Sequence, residues 1–487
     1  MFRKFSENII SAAVSPFSSA PSTPAATAAS STLDIQSLSI ASSASSHQAR
    51  AKVERQLADE LAKFGVPMST EDCAGCDDHQ EGCDESEGAG HVTHVQYPRG
   101  FDVDWDSDLL ASAKPQPRQL VISTGRSDWP HDHTEDETTL SHHLNNALMK
   151  AAGITPAPPL KPDQGGKEKD EKALPPAPPP PPPTNPPGMI EITVGKDGLP
   201  QGIYEAPATQ ITPSMQDEPS PTGIPEQPGT MLFSSSLISQ SHEGHRETVL
   251  AFPDWKVVVD VTNDERGAEG VLTDLVSRTE AQGDSARRTW TLPYRAVVLL
   301  SAVSNGSDPR LLGSHKRRDK RCHIAAPLLE KALCQSLEEH HVSVDLQGHS
   351  LSADHLEQAF PPLDQIPTDE LPIEVEKRLR AIDAVDDAQG NGEVGIFRIS
   401  HLGGHRYAGV MIICFPSGAT LYYGRVSPRE IPAVVKETLL GGKILSGLLR
   451  SAGNAVRPEL VAEHGEEDAG KKIKTVCQRK GKTLLSW

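Results

Sequence analysis

Cys322, His401 and His405 are the residues of this chain whose types and spacing point most directly to chemistry. A thiolate and two imidazoles are donors that soft and borderline metal ions take. Cys322 follows Arg318 and Arg321 and stands just before a segment of helical periodicity. The positive end of a helix and two guanidiniums both favour the thiolate. His401-Leu402-Gly403-Gly404-His405 spaces two imidazoles four apart. The paired glycines oppose a helix and indicate a tight loop between strands, which can bring both rings round one metal. They also let backbone amides approach an anion closely. The expected metal ligands are therefore Cys322, His401 and His405, with Arg318, Asp319, Arg321, Gly403 and Gly404 around them. Taken singly, the same residues read as a half-buried thiol and a glycine turn with two solvated histidines. Their combination favours the metal.

The other cysteines read differently. The chain has seven, an odd number, and no secretory segment, so a disulfide framework is not expected. Cys73, Cys76 and Cys83 form a CxxC plus one in an acidic loop. Neighbouring carboxylates raise a thiol's pKa and oppose thiolate chemistry there. A zinc ion with His79 as fourth ligand is the alternative to an unliganded loop. Cys334 falls mid-helix and Cys414 in an apolar strand, as packed thiols do.

The elements that must position these residues sit in a chain of 487 residues with 41 prolines and 36% hydrophobic content, too lean for a wholly globular protein. The net charge of −19 opposes non-specific binding to nucleic acid or an anionic membrane. No run reaches the roughly 18 apolar residues of a membrane span. Residues 1–48 are Ser/Ala-rich and expected to be disordered. Residues 49–153 and 230–285 form an expected first domain, with a helix over Ala49–Phe64, a strand over Gln119–Ser123, a helix over Thr138–Ala151 and strands over Thr248–Phe252 and Trp255–Val261. Residues 154–229 interrupt it as a proline-rich insert whose run Pro178–Pro183 favours polyproline II. That run is a plain spacer or an SH3/WW-type ligand. A second domain is expected over 293–450. It has a strand at Arg295–Leu300, a helix from Ala326 with Pro327 near its start, strands on either side of the histidine loop, and a helix opened by the capping box Ser427-Pro428-Arg429-Glu430. Residues 451–487 are expected to be a flexible tail. The order of elements is that of a thioredoxin-like α/β unit, whose functional loop joins the first strand to the first helix and here ends at Cys322.

Three groups of residues resemble one family. Arg318-Asp-Lys-Arg-Cys322 with Ala325-Ala-Pro327, His401-Leu-Gly-Gly-His405-Arg-Tyr-Ala-Gly409, and Tyr422-Tyr-Gly-Arg-Val426 look like the sucrase/ferredoxin-like family, which includes fungal proteins of the actin-patch-distribution type. Phe101–Trp105, Val121–Trp129 and Glu247–Trp255 are similar to its first domain. The resemblance implies two thioredoxin-like domains, the second a ferredoxin holding a [2Fe–2S] cluster by two cysteines and two histidines. It implies electron transfer or redox sensing rather than substrate turnover. Imidazole ligands raise a cluster's potential relative to thiolates, and a protonatable imidazole makes it pH-dependent. No paired carboxylates suggest glycoside hydrolysis.

One departure stands out. The family's other cysteine lies nine positions before the RDxRC cysteine, and this chain has Gly313 there. Ser301–Leu312 also looks inserted, so the segment is either diverged or an artefact of gene prediction. As printed, the site has three family ligands, and His315 is the nearest spare donor. The alternatives to a cluster are a cluster-less thioredoxin-like scaffold and a monothiol oxidoreductase using Cys322. Leu485-Ser486-Trp487 is similar to the C-terminal tripeptide that recruits cytosolic iron–sulfur assembly targeting factors. It points to the cytoplasm. Arg3 and Lys4 in a Ser/Ala-rich start leave the mitochondrion as the alternative.

Overall fold

Strands alternating their apolar residues between two faces build one mixed sheet. The computed structural model describes residues 51–71, 97–105, 107–114, 116–129, 132–153, 192–195, 198–205, 229–276, 287–302, 321–367, 369–388, 392–400, 402–457, 459–460 and 483–485. In chain order these form α1 (residues 51–62), β1 (Arg118–Ser123), α2 (Leu140–Ala151), β2 (Ile203–Tyr204), β3 (Thr230–Ser235), β4 (Arg246–Phe252), β5 (Lys256–Thr262), α3 (Glu265–Val276), β6 (Arg288–Thr291) and β7 (Ala296–Ser301). Then come α4 (Arg321–Glu339), β8 (Ser343–Asp345), α5 (Ala353–Ala359), α6 (Leu371–Ala388), β9 (Glu393–Ile399), β10 (Met411–Cys414), β11 (Thr420–Tyr423), α7 (Ile431–Ala433, continuing as a π-helix over Val434–Leu440) and β12 (Leu449–Gly453). None of the described helices is long and apolar enough to cross a membrane.

The sheet order is β2-β12-β11-β10-β7-β9-β3-β1-β4-β5-β6, with β8 pairing β9. Each half repeats one arrangement. In the first, β3 runs parallel to β1, while β4 is antiparallel to β1 and β5 to β4. In the second, β9 runs parallel to β7, while β10 is antiparallel to β7 and β11 to β10. The halves meet where Ser235 of β3 pairs with Ile399 of β9.

Side chains on a strand point alternately to opposite faces. Val297 and Leu299 thus join a core that continues under both halves, from Val121, Phe233 and Trp255 to Phe397, Ile412 and Tyr422. Val298 and Leu300 face α4 and the α7 region. Leu120 and Ile122 face α2 and α3 in a third cluster.

Several boundaries differ from the sequence reading. Residues 51–71, expected in the first domain, pack on the second half: Leu61 and Val66 enter its core and Ser69 N–H bonds the Ile444 carbonyl. Within the expected proline-rich insert, Ile203 is buried and β2 adds to the sheet beside β12. The expected flexible tail includes the end of β12 and the docked residues 483–485, where Leu484 is wholly buried and its N–H bonds the Gly442 carbonyl. The described residues, from 51 to 485, thus fall in one compact unit. Residues 1–48 and Pro178–Pro183 lie outside the described residues.

Candidate functional site

The C-terminal ends of two neighbouring parallel strands, β7 and β9, are where an open α/β sheet has room for a ligand between loops. Cys322 and His405 meet there. Cys322 lies in the first turn of α4, the helix that follows β7, and is 1% exposed. His405 opens a short 3-10 turn, His405–Tyr407, in the loop after β9 and is half-buried. Cys322 Sγ lies 3.3 Å from His405 Nδ1.

α4 starts at Arg321, about one turn earlier than the Ala326 expected from Pro327, which stands inside the helix. Pro327 removes the N–H that would bond the His323 carbonyl and crowds that carbonyl with its ring, a cost borne on an exposed helix face. The earlier start puts Cys322 within the helix rather than just before it.

The histidine loop is held on both sides. Ser400 N–H donates to the Ser234 carbonyl in the first half, and Leu402 N–H reaches Ser301 Oγ at the end of β7. Gly403 and Gly404 both take positive φ, +85° and +79°. A β-carbon on Gly404 would collide with the Arg450 guanidinium, 2.8 Å from its Cζ. Arg450 Nε donates to Ser112 Oγ, Nη1 to the Gly403 carbonyl and Nη2 to the Ser112 carbonyl.

A strap of residues 97–114 closes over the loop. Arg321 Nη1 donates to the Asp102 carbonyl at 3.1 Å, and Asp104 N–H to the Arg406 carbonyl. Arg425 donates to the carbonyls of Asp104 and Ser107, Tyr407 Oη to that of Asp108, and Tyr97 Oη to that of Val426. Burial first, then Glu430 and an ionised Cys322, push the Tyr97 phenol well above its usual range, so it stays a donor. Arg406, Arg425 and Arg450 all lie about the Tyr407 ring, with Cζ to centroid distances of 4.9, 5.4 and 5.4 Å.

Of the sequence-derived site residues, the structure brings together Cys322, His405, Arg321, Gly403 and Gly404. His401, Arg318, Asp319, Gly313, His315, Cys73, Cys76, His79, Cys83, Ser486 and Trp487 lie outside the described residues, whereas Leu485 is part of the docked segment. No group of three or more potential ligands is complete among the described residues. Cys334 and Cys414 are packed thiols, both pushed up in pKa by burial, and Cys414 is 1% exposed. Arg450 and most of the strap were not read from the sequence, and Tyr407 stood there only as a letter of the family motif. The one signal for Arg450 is an arginine inside the otherwise uncharged run Leu448-Leu-Arg-Ser-Ala-Gly453.

Among the described residues a thiol and an imidazole converge, and the two make a soft donor set. Bonds of about 2.3 Å to sulfur and about 2.0 Å to nitrogen at a tetrahedral angle separate two such donors by about 3.5 Å. The observed 3.3 Å fits two ligands of one site. It is equally a hydrogen-bond distance between a thiol and a base.

This fold and this pair define an α/β protein with a thiol–imidazole site at the sheet's C-terminal edge. The sucrase/ferredoxin-like family profile matches residues 109–451, more than half of the chain, and the chain belongs to that family. Among curated proteins it is similar to Altered inheritance of mitochondria protein 32 of Debaryomyces hansenii, 24% identical over 228 residues covering 45% of this chain and 65% of the relative. The protein of the same name from Clavispora lusitaniae is 38% identical over 58 residues, which cover 12% of this chain and 21% of the relative. The chain thus spans less than two thirds of the length of either relative. No solved structure matches.

Proposed function

We propose that this chain is a one-electron redox protein whose cofactor is a [2Fe–2S] cluster held by Cys322, His405 and His401. The observation that carries the reading is the 3.3 Å approach of Cys322 Sγ to His405 Nδ1 at the ends of β7 and β9. A cluster bound there would supply one-electron transfer at a potential raised by imidazole ligation. The protein's own part is to converge the two donors, exclude water with the 97–114 strap and surround the site with arginines. The strand order β11-β10-β7-β9, parallel only between β7 and β9, supports a thioredoxin-like second domain, and β5-β4-β1-β3 supports the same fold for the first.

Gly313 supports a second reading, a monothiol oxidoreductase in which His405 takes the proton of Cys322. Glycine offers no ligand where the family pattern has a cysteine.

The test is the visible spectrum of full-length protein purified without oxygen. The cluster reading expects a brown protein with an iron-to-sulfide ratio near one, and a spectral shift in His405→Cys. Protein that stays colourless even with Gly313→Cys overturns it. A mixed disulfide trapped at Cys322 would then favour the monothiol.

A further inference from the structure

One of the positive charges behind the Cys322–His405 pair comes from a residue outside the motifs that revealed the pair, whereas Arg321, Arg406 and Arg425 stand inside them. Arg450, on β12, is 2% exposed. It donates to Ser112 Oγ, the Ser112 carbonyl and the Gly403 carbonyl, at 3.1, 3.0 and 3.3 Å. All three acceptors are neutral. The guanidinium lies between the Tyr407 ring and the backbone of Gly404, the residue next to His405.

Burying a cation among neutral groups is costly unless negative charge lies near. Burial pushes the Arg450 pKa down to about 10, against upward pulls from Tyr407, Cys322 and Tyr422, with Arg406 adding to the fall. It remains a cation at neutral pH. Two of the three groups pulling upward are phenols: burial keeps the Tyr422 phenol protonated, and Tyr407 serves as a hydrogen-bond donor to the Asp108 carbonyl. The third is Cys322 itself, and the guanidinium is set against Gly404, one residue from His405.

We propose that Arg450 is a buried, fixed positive charge that tunes this site. Its fork holds the Gly403-Gly404 turn, and its charge favours the more electron-rich state of the centre that Cys322 and His405 ligate. The second clause rests on the redox-centre reading above. Arg450 is thus a positioning residue, supplied by the strand farther along the sheet rather than by either ligand loop.

The experiment compares full-length wild type, Arg450→Gln and Arg450→Lys by redox titration of the visible spectrum. Arg450→Gln is expected to lower the reduced-to-oxidised ratio at fixed potential about tenfold, equivalent to about 59 mV for one electron. Arg450→Lys should stay within about twofold of wild type, since it keeps the charge. Lysine loses the planar fork, so both variants should melt earlier than wild type. A purely structural arginine would give Lys and Gln the same ratio, and that result overturns the proposal.

A second measurement needs no cluster. In iron-free protein, the rate of Cys322 alkylation by iodoacetate relative to iodoacetamide, read by mass spectrometry of the Cys322 peptide, reports the local charge. Arg450→Gln should lower that relative rate and Arg450→Lys should not. If the protein takes up no iron but the relative rate falls as expected, the iron–sulfur reading fails and the charge assignment stands. An unchanged relative rate overturns the charge assignment alone.

Discussion

Gly403, Gly404 and Gly409 share positive φ but differ in what their missing side chains leave room for. Nothing lies within 4 Å of a β-carbon on Gly403, whereas one on Gly409 would strike the Val426 carbonyl and the Tyr97 hydroxyl. Gly403→Ala should therefore cost about 1–2 kcal/mol, the left-handed backbone penalty alone. Gly409→Ala should cost about 4 kcal/mol or more, because backbone must move. Chemical denaturation of the two variants checks this, and equal losses would contradict it. A second residue-scale expectation concerns Glu247, whose pKa burial raises above the ordinary 4.5 while the hydrogen bond from Ser123 opposes the rise. An acid whose folded pKa is raised adds stability fully present below its unfolded pKa, and that stability is lost as pH rises through the folded value. Glu247→Gln stays neutral, so its melting temperature relative to wild type should climb from pH 4 toward neutrality. A pH-independent difference would refute it. At this scale the sequence exposed Cys322 and His405 because thiols and imidazoles are scarce and their spacing is chemical. Arg450 left only a weak local signal, an arginine in an uncharged run, and the packing of Tyr407 and the strap decides that it is buried.

α4 and β9 carry the two halves of the site, and one ion pair ties them. Arg398 on β9 donates Nε and Nη2 to the two carboxylate oxygens of Glu330 on α4, at 2.7 and 2.6 Å, with both side chains mostly buried. A bidentate pair fixes orientation as well as distance. Arg398→Met and Glu330→Gln should each cost about 1–3 kcal/mol, and the double variant should cost less than their sum. Denaturation of the four proteins gives the coupling, and strict additivity would show the pair to be idle. Elements of this kind were legible where the chain is emphatic. The apolar runs of β7 and β10 and both ends of α2 lie within two residues of expectation. The Ser427–Glu430 box is half formed: Glu430 bonds back to Ser427 N–H. β12 passed unread because Leu-Arg-Ser-Ala-Gly has neither alternation nor a β-branched run. α6 passed unread because its charged residues obscure the apolar stripe that sets Leu379 in the core.

Across the whole molecule, the sequence separated two domains that the backbone joins. Composition marks where a chain changes character, but pairing between distant segments leaves no local trace: β2, α1 and residues 483–485 all cross the expected boundaries to reach the second half. The C-terminal contact is specific. Leu484 is wholly buried, its carbonyl accepts from Ser417 Oγ, and the Thr483 carbonyl accepts from Arg457 Nε. Leu484→Ala should destabilise by about 2–4 kcal/mol. The core below the β7, β9, β3 and β1 strands runs unbroken between the halves, and Gln119 Nε2 donates across it to Tyr422 Oη at 2.8 Å. Opening either half alone would strip Phe233, Phe397 and Tyr422 of one side of their packing, at a cost comparable to the stability of a domain. The halves should therefore unfold together, as one transition in calorimetry with matching calorimetric and van't Hoff enthalpies. Leu484→Ala should lower that single transition rather than split it. Two resolved transitions, with the lower one alone responding to Leu484→Ala, would mean that the shared core does not couple the halves.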